Sequence, residues 1–389
     1  MSRDLHLSDA DYYFYRRERY TIQYILRYEG RINEERLRRA LLLAAAALPP
    51  VGARLVETED GKLALRPGHA IPLRTQCVDA TAAAADLVDP VTNVRLAPLV
   101  RLVLSRGPQG DALGVSFSHL LGDGKSFFLF LGTVAAFLRG EPLPRANHER
   151  DRLNAPPGRR DKTGPARREL FAASGYVIPR PPEPPVGKRE RYFFSGEELL
   201  ARKAVAEERG LRVSENSLVM ALLTKRLFRE VPTYEGKFLV RCPVDYRDRL
   251  GLAPGYFGNA VLDAVAAFDP HHLKRLSVEV IANQIQNAVK GITPARVAAH
   301  LACLRSLREE EGPAVFESVG CPGLLVSNLS RMPLAAVDLG AGPPLALLLA
   351  SVNPRLAVVL SAENGLVVEL NRPGLAATQT PNAAAFSAR

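Results

Sequence analysis

Ser118-His119-Leu120-Leu121-Gly122-Asp123-Gly124 lies between two segments of different periodicity, and that contrast sets the reading of the fold. Before it, Leu113, Val115 and Phe117 alternate with Gly114, Ser116 and Ser118, the period-2 pattern of a half-buried strand. After it, Phe127, Phe128, Leu131, Val134, Ala135 and Leu138 recur at helical spacing. A histidine therefore stands where a strand ends, four residues ahead of an aspartate flanked by glycines. Imidazole changes charge near neutral pH, and element boundaries border clefts, so the placement suits a general base. Two plainer readings stand beside it. A lone histidine after a strand also serves as a satisfied structural residue. Gly124-Lys125-Ser126 mimics the end of a phosphate loop, but that motif needs a glycine where this chain has His119.

The spacing His119-x-x-x-Asp123-Gly124 resembles the catalytic motif of the chloramphenicol acetyltransferase-like superfamily, which includes BAHD acyltransferases, condensation domains and wax-ester synthases. Three further segments follow in the order and spacing of BAHD enzymes. Pro243-Val244-Asp245-Tyr246-Arg247-Asp248-Arg249-Leu250 is similar to their arginine-bearing segment, and Gly255-Tyr256-Phe257-Gly258-Asn259-Ala260 to the Tyr-Phe-Gly-Asn segment after it. Val326-Ser327-Asn328-Leu329, followed by Val337-Asp338-Leu339-Gly340-Ala341-Gly342, resembles the serine segment and the Asp-Phe-Gly-Trp-Gly signature. The likeness runs from about residue 30 to residue 372. Two departures qualify it. Leu339 and Ala341 replace the aromatic positions of the signature, and Ser118-His119 replaces the paired histidines usual in condensation domains. The second departure favours simple acyl transfer over peptide-bond formation.

The resemblance implies an α/β (α+β) fold of two chloramphenicol acetyltransferase-like domains. Each would be a mixed sheet flanked by helices, with an active-site tunnel at their interface. It implies an enzyme that moves an acyl group from acyl-CoA to a hydroxyl or amine of a small-molecule acceptor, directly, in a ternary complex. His119 is then the base, and neither Ser118 nor a cysteine need act as nucleophile. Asp123 would point away from the reaction and pair with an arginine to fix the loop. Arg247 or Arg249 would make ion pairs with Asp338 in the segment that includes Gly340. Ser327 and Asn328 would lie near the tetrahedral oxygen, and Gly124, lacking a Cβ, would allow close approach of backbone or ligand. Asn259 reads as a structural residue. Two alternatives keep the fold: a transferase fed by an acyl-carrier thioester, and a catalytically silent binding protein.

Bulk properties agree with a soluble enzyme. A chain of 389 residues has room for two domains. Hydrophobic residues at 47% and charged residues at 24% are ordinary for globular proteins. There is no apolar run of membrane-spanning length, and Met1-Ser2-Arg3-Asp4-Leu5-His6 lacks the core of a signal peptide, so a cytoplasmic monomer is expected. Cys77, Cys242, Cys303 and Cys321 show no paired spacing, and His271-His272 would diverge on a helix, so neither metal nor permanent cofactor is expected. The net charge of +10 is concentrated partly at Arg159-Arg160-Asp161-Lys162, Arg167-Arg168 and Lys188-Arg189-Glu190-Arg191. It reads either as solvated linker charge or as a field that steers coenzyme A or an acidic carrier protein. Nucleic acid is disfavoured, since no zinc finger, basic zipper or aromatic-basic interleaving appears.

Along the chain, Asn33 caps a helix over 34–48 that Pro49-Pro50 stop, and 51–58 with 62–66 read as a hairpin. The strand at 99–104 pairs with 112–117. Prolines through 141–190 mark a crossover linker between a domain at 1–140 and a second at 191–372, and 373–389 reads as a disordered tail. In the second half Ser195 with Glu198 form a capping box, and Ser214 caps a helix through Leu227. Phe238 to Cys242 is a strand, Leu273 to Val289 one amphipathic helix, and 356–360 with 366–370 a late hairpin across Glu363-Asn364-Gly365.

Overall fold

The computed structural model describes residues 4–15, 21–79, 82–154, 186–228, 237–311, 323–351, 353 and 355–373. In the first half, β1 (Leu5–His6), β3 (Arg54–Glu57) and β4 (Leu63–Arg66) form a small antiparallel sheet in the order β1-β4-β3. A five-stranded sheet is built on β2 (Ile22–Tyr28), β5 (Leu73–Cys77), β6 (Val100–Gly107) and β7 (Gly110–Phe117). Its β5–β6 pair is parallel and its β6–β7 pair antiparallel, so the sheet is mixed. The short helix α1 is Asp9–Tyr12, capped by Ser8. Helix α2 spans Glu34–Ala47, with the Asn33 side chain accepting from the Arg36 N–H as its spacing requires. Helix α3 (Gly124–Arg139) follows the histidine loop; Asp123 caps its start and Gly140, in the left-handed region, ends it. Its apolar stripe packs with α2 and buries Phe127, Phe130, Leu131 and Val134.

The second half forms a six-stranded sheet in the order β10-β9-β11-β13-β14-β8. Its strands are β8 (Val186–Ser195), β9 (Phe238–Asp245), β10 (Val261–Phe268), β11 (Gly323–Asn328), β13 (Leu356–Ala362) and β14 (Gly365–Pro373). Helices α4 (Gly196–Glu208, capped by Ser195), α5 (Glu215–Phe228) and α7 (Val278–Lys290) pack beside it. Helix α6 is Pro270–Arg275 and α8 is Pro294–Glu311. Mixed sheets with flanking helices thus occupy both halves.

Three expectations are corrected. The stretch read as linker to residue 190 already becomes β8 at Val186, because the sheet edge at β14 takes up 188–195 in register and, after a shift between Arg372 and Pro373, Val186 as well. The second half is not confined to its own sheet either. Strand β12 (Ala346–Leu349) pairs antiparallel with β2, completing the five-stranded sheet of the first half and covering its open edge. Leu329, Val337, Leu339, Leu347, Val358 and Leu360 accordingly join Leu26, Phe117 and Phe127 in one core. Finally, the single helix expected over 273–289 is two. Ser277 is extended and its side chain accepts from the Val280 N–H, so a new helix starts there. The disordered tail expected over 373–389 lies, apart from Pro373 at the end of β14, outside the described residues.

Candidate active site

The loop after β7 is held by its own serine. The Ser118 hydroxyl donates to Asn93 and accepts from the Leu120 N–H, while the Ser118 N–H donates to the Leu99 carbonyl. These bonds end the strand and turn His119 towards the second half of the chain. There its Nδ1 lies 3.0 Å from Oδ1 of Asn259. The Phe14 ring stacks on one face of the imidazole, with centroids 3.8 Å apart and planes 12° from parallel. His119 as a whole residue is only partly buried. Burial lowers its pKa below the ordinary imidazole value, outweighing the opposing Asp123 charge and the Asn259 hydrogen bond. The neutral, proton-accepting form is therefore the resting form at pH 7.

Asp123 faces away from the ring and is buried. Its carboxylate meets the Arg247 guanidinium end-on through both terminal nitrogens, with Nη1–Oδ2 at 2.8 Å and Nη2–Oδ1 at 2.9 Å. It also accepts from the Ser126 and Ala260 N–H groups. Burial alone would raise its pKa, but the Arg247 charge and these bonds reverse the sign and hold it below the usual value. Arg247 donates onward to the Tyr256 and Gly258 carbonyls, and Ser126 bonds Gly258 in both directions. The histidine loop, the start of α3 and the 256–260 segment are thereby one hydrogen-bonded unit. Gly122 leaves room for it: a Cβ there would sit 2.5 Å from that of Ser126.

A model of the Transferase family matches residues 104–360, which hold His119, Asp123, Arg247 and Asn259 together. The chain belongs to this family, the BAHD acyltransferases. It is an acyltransferase. Hydroxycinnamoyltransferase 2 of Oryza sativa subsp. japonica is 25% identical over 345 residues, covering 80% of this chain and 76% of that protein. Among solved structures, TRI101 of F. sporotrichioides complexed with coenzyme A and T-2 superimposes with a TM-score of 0.74 at 14% identity, over 96% of this chain and 95% of that one. The first condensation domain of the CDA synthetase gives a TM-score of 0.62 at 19% identity, over 95% and 90% of the two chains. At these identities the solved structures establish the shared two-domain fold.

In this BAHD acyltransferase the remaining predicted residues fall in different places. Ser327 and Asn328 end β11, and the next residue, Leu329, reaches to 3.4 Å from where a Gly124 Cβ would be. That is ordinary contact, so Gly124 is not the position where the loop most needs glycine. Ser327 lies opposite Val358, which belongs to the core shared with the first half, so its side chain is on the sheet face turned that way. Asn328 is on the other face by strand alternation, and its Oδ1 accepts from the Ser330 N–H and hydroxyl.

The ion pair expected between Asp338 and Arg247 or Arg249 does not form. Asp338 accepts from the Gly340 N–H through its side chain and from Arg139 through its carbonyl. Arg139 is the last residue of α3, about 22 Å by helical rise from the end where Asp123 holds Arg247. Arg249 buries Nη1 without a hydrogen-bond partner and takes no part in the pair.

Sequence reasoning missed Asn259 as the direct partner of the imidazole, together with Phe14, Asp11 and Arg150. The asparagine was visible in its motif, but its contact spans 140 residues. No group of three His, Cys, Asp or Glu side chains suited to a metal occurs among the described residues, and no helix among them is long and apolar enough to cross a membrane. Burial pushes the Cys242 thiol up to about 12, which removes it as a nucleophile at neutral pH. A small cavity bounded by Arg27, Gln109 and Leu345 lies at the opposite end of β7 and does not include His119.

Proposed function

We propose that this BAHD acyltransferase moves an acyl group from acyl-CoA to a hydroxyl or amine of a small-molecule acceptor, in one direct step within a ternary complex. The observation behind this reading is the neutral imidazole of His119, a residue that is only partly buried, with its Nδ1 engaged by Asn259. Nε2 takes the acceptor proton as the acceptor oxygen or nitrogen attacks the thioester carbonyl. The tetrahedral oxyanion collapses, the C–S bond breaks, and the imidazolium returns the proton to the departing thiolate. Correctly placed proton transfer of this kind contributes roughly 10²–10⁴ in rate. Family membership and the likeness to a structure holding coenzyme A support coenzyme A as the donor.

Ser327 is the oxyanion donor in this reading, because its hydroxyl is on the face turned to the first half. Ser327→Ala is expected to lower kcat on the order of 10²-fold, with KM for the thioester little changed. Steady-state kinetics measure it, and an unchanged kcat removes Ser327 from the role.

The pH profile follows from the sign of the His119 shift. Its folded pKa lies below 6.5, so the base stays unprotonated as pH falls through 6.5. The acid limb of kcat/KM is expected at a value below 6.5, and a limb above 6.5 contradicts the assignment. The unfolded chain takes up that proton first, so the same group reduces stability as pH falls below 6.5.

The reaction class is tested by incubating the protein with a panel of acyl-CoA thioesters and candidate alcohols and amines, reading free thiol release and product mass. Transfer only from a loaded carrier protein would replace coenzyme A as donor. Absence of transfer from either would return the chain to a binding role.

A further inference from the structure

Asn259 has a fixed orientation, and its cause lies outside the catalytic motif. Its Nδ2 donates to Oδ1 of Asp11 at 2.9 Å and to the His119 carbonyl at 2.8 Å. A carbonyl and a carboxylate only accept, so the amide nitrogen must face them and Oδ1 must face the imidazole. Nδ1 of His119 then carries the ring proton, and the lone pair is left on Nε2.

We infer that Asp11, on the short helix α1, is a positioning residue for acyl transfer: through Asn259 it holds the His119 proton on Nδ1 and places negative charge one amide away from the imidazolium that forms. The inference rests on the reading of His119 as base.

Asp11 is suited to this by burial and by partners. It is fully enclosed. Oδ2 accepts from the Ser8 N–H and hydroxyl at 2.9 and 2.8 Å and from Arg150 Nη1 at 2.6 Å. Oδ1 accepts from the Asn259 side chain and, at 3.3 Å, from its N–H. Every one of these partners is a donor. The second Arg150 nitrogen donates at 2.6 Å to the carbonyl of Leu121, inside the catalytic loop. Phe14, three residues beyond Asp11, covers the ring face, and its carbonyl accepts from Asn93, the partner of Ser118. The N-terminal segment therefore touches the imidazole directly through Phe14, and Asp11 reaches the ring through Asn259 and the loop through Arg150.

Replacing Asp11 with asparagine reverses the chain of donors. Ser8 and Arg150 present three donor bonds to one side of the residue, so its oxygen stays there and its NH₂ turns to Asn259. The Asn259 amide meets that NH₂ only by turning its oxygen to residue 11, giving up its bond to the His119 carbonyl, and its NH₂ then faces the ring, which moves the ring proton to Nε2 and removes the base. A histidine base left in the wrong tautomer costs up to about 10⁴ in kcat.

The test is side-chain ¹⁵N NMR on the full chain labelled with ¹⁵N-histidine, with His119 assigned through His119→Gln. The wild type is expected to show a protonated Nδ1 and a bare Nε2 above pH 7. Asp11→Asn is expected to show the reverse, with kcat lowered on the order of 10²-fold or more and KM for the thioester within a few-fold. A wild-type ring protonated on Nε2 overturns the inference without any variant. So does an Asp11→Asn protein that keeps both the tautomer and kcat. The tautomer is readable without substrate, so a chain that transfers acyl groups with the wrong tautomer defeats this inference alone. One that transfers nothing defeats the functional reading.

Discussion

His119→Ala is expected to lower kcat/KM by roughly 10²–10⁴, to the floor of the assay, while leaving Tm within a few degrees of wild type. The rate falls because no other side chain described at this point of the loop offers a neutral lone pair. Asp123 is turned away into its pair with Arg247, and the Ser118 hydroxyl is spent on Asn93 and the Leu120 N–H. Stability changes little because the residue is only partly buried and its side chain makes one hydrogen bond, to Asn259, of a kind worth about 1 kcal/mol, beside the stack on Phe14. Kinetics and thermal unfolding on the same preparation check both halves of the statement. A variant as active as wild type would end the assignment of His119 as base. A large fall in Tm would show a structural histidine instead.

Asp123→Ala is expected to do the opposite in weight, lowering stability first and activity through it. The pair it breaks is buried on both sides, with side-chain exposures of 1% for Asp123 and 8% for Arg247. Removing one partner of such a pair leaves an uncompensated charge and costs about 3–5 kcal/mol. The loss of the α3 cap adds about 1 kcal/mol. Arg247→Ala should resemble it, because the same carboxylate is then stranded. Asp123→Asn should fall between, since it keeps an acceptor for the Ser126 N–H. The pH dependence has a definite sign. The folded pKa lies below the ordinary 3.8, so this contribution is complete above 3.8 and is lost as pH falls through the folded value. Acid titration of stability should accordingly be shallower in Asp123→Ala than in wild type. Equal unfolding temperatures for wild type and Asp123→Ala would show that the pair contributes nothing net.

Much of the local structure was legible because its causes are local. Asn33 and Ser195 cap helices through atoms three residues away, and the hairpin across Glu363-Asn364 follows from two apolar runs and a turn. The break at Ser277 was missed for a similar local reason read the wrong way. The apolar spacing continues across it, but a serine cap outweighed the period. The resemblance in four segments gave the family and singled out His119 and Asp123, since those residues recur at fixed spacing. It left Arg247 and Arg249 equivalent. The short helical turn at Asp248–Leu250 separates them, and only Arg247 reaches Asp123.

The elements, the histidine at the end of β7 and the family of the chain can be read from residue order alone, because hydrophobic period, capping and motif spacing act over a few residues. Which distant groups meet is set only when the whole chain is packed. Strand β12 crosses to β2, Asp338 lies at the far end of α3 from Arg247, and Phe14 and Asn259 meet at the His119 ring, with Asp11 and Arg150 behind Asn259. Those meetings depend on burying sheet edges and pairing buried charges, which are conditions on the whole packed chain and leave no mark at any one position.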